Sequence, residues 1–240
     1  VRTYATAQQI GTRSHQCDAT ATRHTADGGR AYVLLDGIGS DDGVRDWTRE
    51  ITQRLAILTA RTLQPHEAIE QVQAEITREP GWDDEVPGAC AVIAVTGPDQ
   101  LLRIAWIGDC RAYLLHPDGH LQRLTADHNQ RAEFEAAGAA VPYWARNIVT
   151  RCMGHPKGGE ALEPEWTAVH DRTGTRMLLV SDGCYEPIED SCLDLAADLA
   201  LYDAPARAAE HIVATAIAAA SAHADNATCL VADFDFNPAA

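Results

Sequence analysis

Three aspartates stand where apolar runs meet turns, and that placement could gather oxygen ligands around a cation. Tyr32-Val33-Leu34-Leu35 runs straight into Asp36-Gly37, after which Gly39-Ser40-Asp41-Asp42 breaks the run. Met177-Leu178-Leu179-Val180-Ser181 leads in the same way into Asp182-Gly183, and Asp225-Asn226 directly precedes Ala227-Thr228-Cys229-Leu230-Val231. An apolar run bounded by turn residues reads as a buried strand, so each carboxylate sits where a rigid strand gives way to a loop. Gly37 lets the backbone come close to whatever Asp36 binds, because no Cβ intervenes. Converging on one edge of a sheet, the three form an oxygen-only set suited to magnesium or manganese. Each also has a plainer reading. Asp-Gly after a strand makes a hairpin turn, Asp182 can cap the helix that follows, and Asp225-Asn226 can be a turn. Repetition of one design three times is what favours the metal.

The elements that must position these residues follow from periodicity. Tyr4 to Ile10 and Ala19 to His24 read as strands, and Asp27-Gly28-Gly29 as a turn into the Tyr32 strand. Trp47, Ile51, Leu55 and Leu58 fall at helical spacing. A second helix starts near Pro65, carries Ile69, Val72 and Ile76, and ends by Pro80-Gly81. Ala89–Val95 and Leu101–Ile107 form one hairpin across Gly97-Pro98-Asp99; Arg111–Leu115 and Leu121–Leu124 form another across Pro117-Asp118-Gly119. Gln130 to Ala137 is a short helix, and Gly138 to Glu163 is irregular. Helices from about Glu189 and over Pro205–Ala222 follow the Met177 strand, and Ala227–Phe234 is the last strand. Strands and helices are segregated, which indicates an α+β layered fold in one domain over 1–240 rather than alternating βαβ units.

Composition narrows the function. A net charge of -16 argues against a nucleic-acid partner, since phosphate backbones demand Lys and Arg, and equally against an anionic membrane surface. The seven cysteines show no paired zinc spacing, are odd in number and lie partly within apolar runs. They point to a reducing, cytoplasmic compartment. No stretch is long and apolar enough to span a membrane, and the first residues lack a signal-peptide profile.

Taken in order, four blocks make the chain resemble the metal-dependent Ser/Thr protein phosphatases of type 2C, in particular the bacterial single-domain branch. They are Leu35-Asp36-Gly37-Ile38-Gly39; Trp106-Ile107-Gly108-Asp109-Cys110-Arg111-Ala112-Tyr113-Leu114-Leu115 with Leu124-Thr125-Ala126-Asp127-His128; Leu179-Val180-Ser181-Asp182-Gly183; and Asp225-Asn226-Ala227-Thr228. The resemblance implies a four-layer α-β-β-α sandwich, two antiparallel sheets flanked by helix pairs, with a two-metal centre at one end. It implies Mn2+ or Mg2+, two ions and a weaker third. Asp36 would bridge both ions, the Gly37 carbonyl would bind one, and Asp182 and Asp225 would complete the other. Asp18 falls where the family holds a metal-bound water, Asp109 where bacterial members bind the third ion, and Arg13 where they grip phosphate.

The implied activity is hydrolysis of phosphoserine and phosphothreonine in proteins, with Asp36, Asp182 and Arg13 at its heart. The implied partners are phosphoprotein substrates and an opposing Ser/Thr kinase, and the expected state is a monomer. The chemistry agrees with these roles. Phosphate monoesters hydrolyse extremely slowly unaided, paired cations supply a nucleophile and neutralise charge, and a guanidinium is a planar fork for two phosphate oxygens. Asp109 fits a turn equally well, and Arg13 fits an ordinary surface arginine.

Some positions depart from the family. Cys17 stands where a Glu usually precedes the Asp matching Asp18, Gly88-Ala89-Cys90 replaces Gly-Thr-Thr, and Cys184-Tyr185-Glu186 replaces Leu-Thr-Asp. Ile38 stands where animal members carry a His. Such drift around the ligands can lower metal affinity or activity, so the alternative is a weakly active or inactive relative that binds phosphoproteins as a regulator. A hydrolase of small phosphate esters is a third reading. Tyr143, Trp144 and Arg146 lie in the segment of about 130–163 that corresponds to a mobile flap in bacterial relatives. A packed aromatic patch is the simpler account. The histidines, among them His15, His128 and His155, form no metal-spaced pair and read as surface or turn residues.

Overall fold

The computed structural model describes residues 3–77, 86–154, 163–170, 173–220 and 222–235. In chain order the elements are β1 (Tyr4–Gln9), β2 (Ala19–His24), β3 (Arg30–Ile38), α1 (Asp42–Thr62), α2 (Pro65–Ile76), β4 (Gly88–Thr96), β5 (Leu102–Ile107), β6 (Arg111–Leu115), β7 (Leu121–Arg123) and α3 (Gln130–Ala136). A short 3-10 turn (Tyr143–Asn147) comes next, then β8 (Glu165–Val169), β9 (Thr175–Val180), α4 (Asp182–Asp190), α5 (Leu195–Ala200), α6 (Pro205–Ala219) and β10 (Ala227–Phe234). The strands form two five-stranded sheets, ordered β1-β10-β9-β6-β7 and β2-β3-β4-β5-β8. Every pairing is antiparallel.

The strands read as unbroken apolar runs because both of their faces are covered. Successive side chains on a strand point to opposite faces, and here each face meets a different layer. Leu34 joins Val92, Ile104, Leu114, Leu179 and Leu230 between the sheets. Its neighbour Leu35 points outward with Val33, Ile93 and Ile107 against Ile51 and Leu55 of α1 and Ile69 and Val72 of α2. On the far side Leu178, Val180 and Val231 meet Ile188, Leu199 and Ile212 from α4, α5 and α6. Each such fully buried side chain contributes about 1.5–3 kcal/mol. The result is the expected four-layer sandwich, with α1 and α2 outside one sheet and α4, α5 and α6 outside the other.

Several expectations shift. The helical stretch expected from about Glu189 is realised as α5, starting at Leu195, and a further helix, α4, fills Asp182–Asp190 ahead of it. Pro187 lies inside α4, and a proline in sequence reads as a helix breaker. β8 emerges beside β5 at the sheet edge, from five residues with half-exposed Trp166 among them, too short to show a period. The last helix stops at Ala219, before the expected Ala222. The expected helix end at Pro80-Gly81, the Lys157-Gly158-Gly159 stretch and His155 lie outside the described residues.

The chain changes sheets at a tight turn. β5 belongs to one sheet and β6 to the other, so Gly108-Asp109-Cys110 carries the chain between layers. Gly108 has φ +94°, and a Cβ there would lie 2.4 Å from the Cys90 sulfur, so glycine is required.

Candidate active site

Both sheets end in aspartates at the same rim. From one sheet come Asp18, just before β2, and Asp36, near the end of β3 opposite Cys90. From the other come Asp182, at the start of α4 directly after β9, and Asp225, just before β10. Asp109 stands in the crossing turn between them. Asp18 and Asp109 are buried, while Asp36, Asp182 and Asp225 are half-buried.

The local folding of each residue has a cause. β9 must turn sharply into α4, and the Ser181 N–H fixes that turn by donating to the Thr228 carbonyl at 3.1 Å. Gly183 follows because a Cβ there would stand 2.3 Å from the Asn226 carbonyl oxygen and 2.9 Å from the Asp225 Cβ. Asp182 therefore opens the first turn of a helix packed onto the Asp225 loop, where the helix N-terminus favours a negative charge by about 0.3–1 kcal/mol. Gly37 is equally constrained, with the Cys17 carbonyl oxygen and the Thr48 hydroxyl both 2.7 Å from where a Cβ would sit.

Asn226 holds the connector from Ile10 to Asp18 in place. Its Oδ1 accepts the Cys17 N–H at 2.7 Å, and its Nδ2 donates to the Ile10 carbonyl at 2.9 Å. Ser181 Oγ donates to Asp18 Oδ2 at 3.0 Å. Asn129 Nδ2 lies 3.4 Å from Asp109 Oδ2, and Tyr185 donates its hydroxyl to the Asp109 carbonyl at 3.1 Å. His128, expected at the surface or in a turn, is buried, and its Nδ1 accepts the Gly108 N–H at 3.1 Å. Beneath the Tyr185 ring, Arg111 places its guanidinium carbon 3.6 Å from the ring centroid. Arg111 also bonds Asp127 with Nε at 3.0 Å and Nη2 at 2.8 Å, and Glu189 at 2.6 Å.

The carboxylates feel one another. Burial pushes the Asp18 carboxyl up to about 7, with the charges of Asp182 and Asp225 adding and the Thr228 and Ser181 hydroxyls opposing. Burial also lifts Asp109 to about 7, aided by Asp182, and holds Asp36 well above the usual carboxylate range, aided by Asp18 and Asp182. Asp182 is raised by burial and by Asp225, and its contact with Asp36 opposes the shift. Glu186, one turn further along α4, is pushed up to about 8 by burial and by the Asp182 charge. Packed together, these carboxyls are pushed toward their neutral forms, a shift that a bound cation would reverse.

Its chemistry fits a hard divalent cation. All donors are oxygens, and Asp18 Oδ1 is buried without a hydrogen-bond partner, which leaves a lone pair unanswered. Among the described residues, however, no three His, Cys, Asp or Glu side chains already stand as a ready-made cage. Asp225 is engaged elsewhere: its Oδ2 receives Arg13 Nη2 at 2.5 Å and its Oδ1 the Asn226 N–H at 2.7 Å.

Two further expectations meet the structure here. The Cys17 thiol is buried and directed at the Asp41 carbonyl, 3.8 Å away. The aromatic patch is not packed: Tyr143 is 84% exposed and Trp144 50%, although Trp144 meets Phe134 edge-on. Arg146 is bound there by Asp190 at 2.8 and 3.0 Å and lies 3.6 Å from Glu186. Asn226, Asn129, Ser181, Thr228, Arg111 and Tyr185 have no individual role legible in sequence; a charged Arg111 heading an apolar strand is the available signal.

Known proteins share this architecture. A crystal structure described as a bacterial serine phosphatase superposes with a TM-score of 0.80 at 19% identity, covering 99% of both chains. The catalytic domain of the Ser/Thr phosphatase PstP, solved in complex with two manganese ions, superposes with a TM-score of 0.73 at 25% identity over 96% of each chain. In sequence, PstP of Mycobacterium tuberculosis is 26% identical over 183 residues, which is 69% of this chain and 34% of PstP. The chain therefore spans about a third of the length of the curated relatives it matches. Residues 48–225 match the family described as Protein phosphatase 2C, a span that includes Asp109, Asp182 and Asp225 and follows Arg13, Asp18 and Asp36. With most of its length matched in this way, the chain belongs to the protein phosphatase 2C family.

Proposed function

We propose that this chain is a metal-dependent protein Ser/Thr phosphatase that hydrolyses phosphoserine and phosphothreonine. The observation that carries the reading is the convergence of Asp18, Asp36, Asp109, Asp182 and Asp225 on one rim, with the Arg13 guanidinium at its edge. Asp36, the Gly37 carbonyl, Asp182 and Asp225 would hold two cations, Mn2+ or Mg2+, and Asp109 a weaker third. Bound there, the cations would supply an acidified water and neutralise the phosphoryl charge. Asp18, fixed through Oδ2 by Ser181, would hold a water of the metal centre through its unpartnered Oδ1. Arg13 would orient two phosphate oxygens and exclude other approaches. Ile38, 47% exposed at the rim, offers no proton to the leaving oxygen, so a water held at the metal centre would have to serve.

The substrates on this reading are phosphoproteins, opposed by a Ser/Thr kinase, met by a monomer in the cytoplasm. The compartment rests on seven free cysteines. Among the described residues no helix is long and apolar enough to cross a membrane. Hydrolysis of a phosphothreonine peptide in manganese tests the proposal: turnover is expected, with a loss of at least a hundredfold in Asp182→Asn. The Arg13–Asp225 pair, which occupies one of the needed carboxylates, favours a second reading, a weakly active relative that binds phosphoproteins. Peptide binding without turnover at any manganese concentration would establish that reading instead.

A further inference from the structure

Arg13 and Asp225 are joined in a way that the ligand roles alone do not require. The backbone on both sides of Arg13 is fixed. Thr12 donates its N–H and its hydroxyl to the Ala224 carbonyl at 2.9 and 3.0 Å, and Ser14 Oγ donates to the Ser40 carbonyl at 3.1 Å. Gly11, at φ +64°, lets this turn lie against the Ala224–Asp225 backbone, where a Cβ would come within 2.3 Å of the Asp225 carbonyl oxygen. What remains free to move is the Arg13 side chain. It is half exposed, its hydrogen bond among the described residues is to Asp225 Oδ2, and the charges of Asp182 and Asp36 also attract it.

Asp225 is therefore asked to serve two cations. Its Oδ1 is committed to the Asn226 N–H, so Oδ2 is the oxygen with most capacity for a new ligand, and that is the atom Arg13 occupies. A divalent ion carries twice the charge of a guanidinium and can approach the oxygen more closely, so it would compete with the arginine without rebuilding the fold. We propose that Arg13 and a divalent cation compete for the Asp225 carboxylate, so that loading the cation releases the guanidinium to grip the substrate phosphate. Cation and phosphate binding are then coupled through one exchangeable ion pair, and the chain captures phosphate strongly only once the centre is charged. The inference rests on the phosphatase reading of the site.

Calorimetric titration of manganese into the full chain tests it. Arg13→Ala is expected to tighten one manganese-binding event about fivefold, the scale of a partly exposed charge pair. In the Asp225→Asn background the same substitution should leave manganese binding unchanged, which separates competition at one carboxylate from a general field effect. Titration of inorganic phosphate without manganese gives a second readout: Asp225→Asn should bind it more tightly than the wild type, and Arg13→Ala/Asp225→Asn should lose that gain. Manganese affinity unmoved or weakened by Arg13→Ala, or a tightening that persists in Asp225→Asn, overturns the competition alone. A wild-type chain that takes up no manganese overturns the functional reading with it.

Discussion

At the scale of the residue, the rim's energetics are set by carboxylates that stay partly neutral in the folded chain. Asp18 and Asp109 are held at about 7 and Glu186 at about 8, against an unfolded value near 4 for such groups. A folded carboxyl with a raised value binds more protons than the unfolded chain between those limits. Stability is thus full at about pH 4 and falls as the pH rises through 7 to 8. Without added cation, the melting temperature should be higher at pH 5 than at pH 8, and calorimetry at the two values checks it. Millimolar manganese should remove most of that difference, because the cation replaces the proton as the relief for the repelling oxygens. A second expectation concerns Gly183. A methyl group there meets the Asn226 carbonyl at 2.3 Å, so Gly183→Ala should cost about 1–3 kcal/mol in urea denaturation and weaken manganese binding by shifting the Asp225 loop.

At the scale of the element, the aspartates are legible in sequence and their supports are not. Asp36 and Asp182 announce themselves because an apolar run stops abruptly at Asp-Gly, a local signal. Asn226 lies beside Asp225, yet its task is to bind Cys17 and Ile10, residues more than two hundred positions away. No periodicity encodes such a contact. His128 reads as exposed for the same reason, since its burial depends on Gly108 returning from a different strand. A helix after Asp182 is legible only as a capping possibility, and Pro187 hides its extent to Asp190, although that helix is the one that presents Asp182. The strut beneath it is Arg111, which ties the β6 strand to Asp127 and to Glu189 on α4. Asp127 is itself nearly buried and also pairs with Arg123. Arg111→Ala should therefore destabilise the chain by about 3 kcal/mol, measured by urea unfolding, and should loosen Asp182 enough to lower manganese affinity.

At the scale of the molecule, the layered class is readable from the segregation of strands and helices, whereas the sheet orders are not, because they are decided by which strands meet across long separations. The layers also sort the cysteines. Cys17, Cys90, Cys110, Cys184 and Cys229 are buried, Cys152 is half-buried and Cys192 is exposed. Native alkylation should modify Cys192 first and Cys152 slowly, with the other five reacting only in denaturant; mass spectrometry of tryptic peptides reads the result. The pairing of β1 with β10, in which Tyr4 stands opposite Ala232, has a consequence for biosynthesis. Asp225 is delivered just ahead of β10, and that strand lies between β1 and β9. On the ribosome Asp18, Asp36, Asp109 and Asp182 accordingly emerge well before Asp225, and the carboxylate rim is completed only when β10 enters the sheet between β1 and β9.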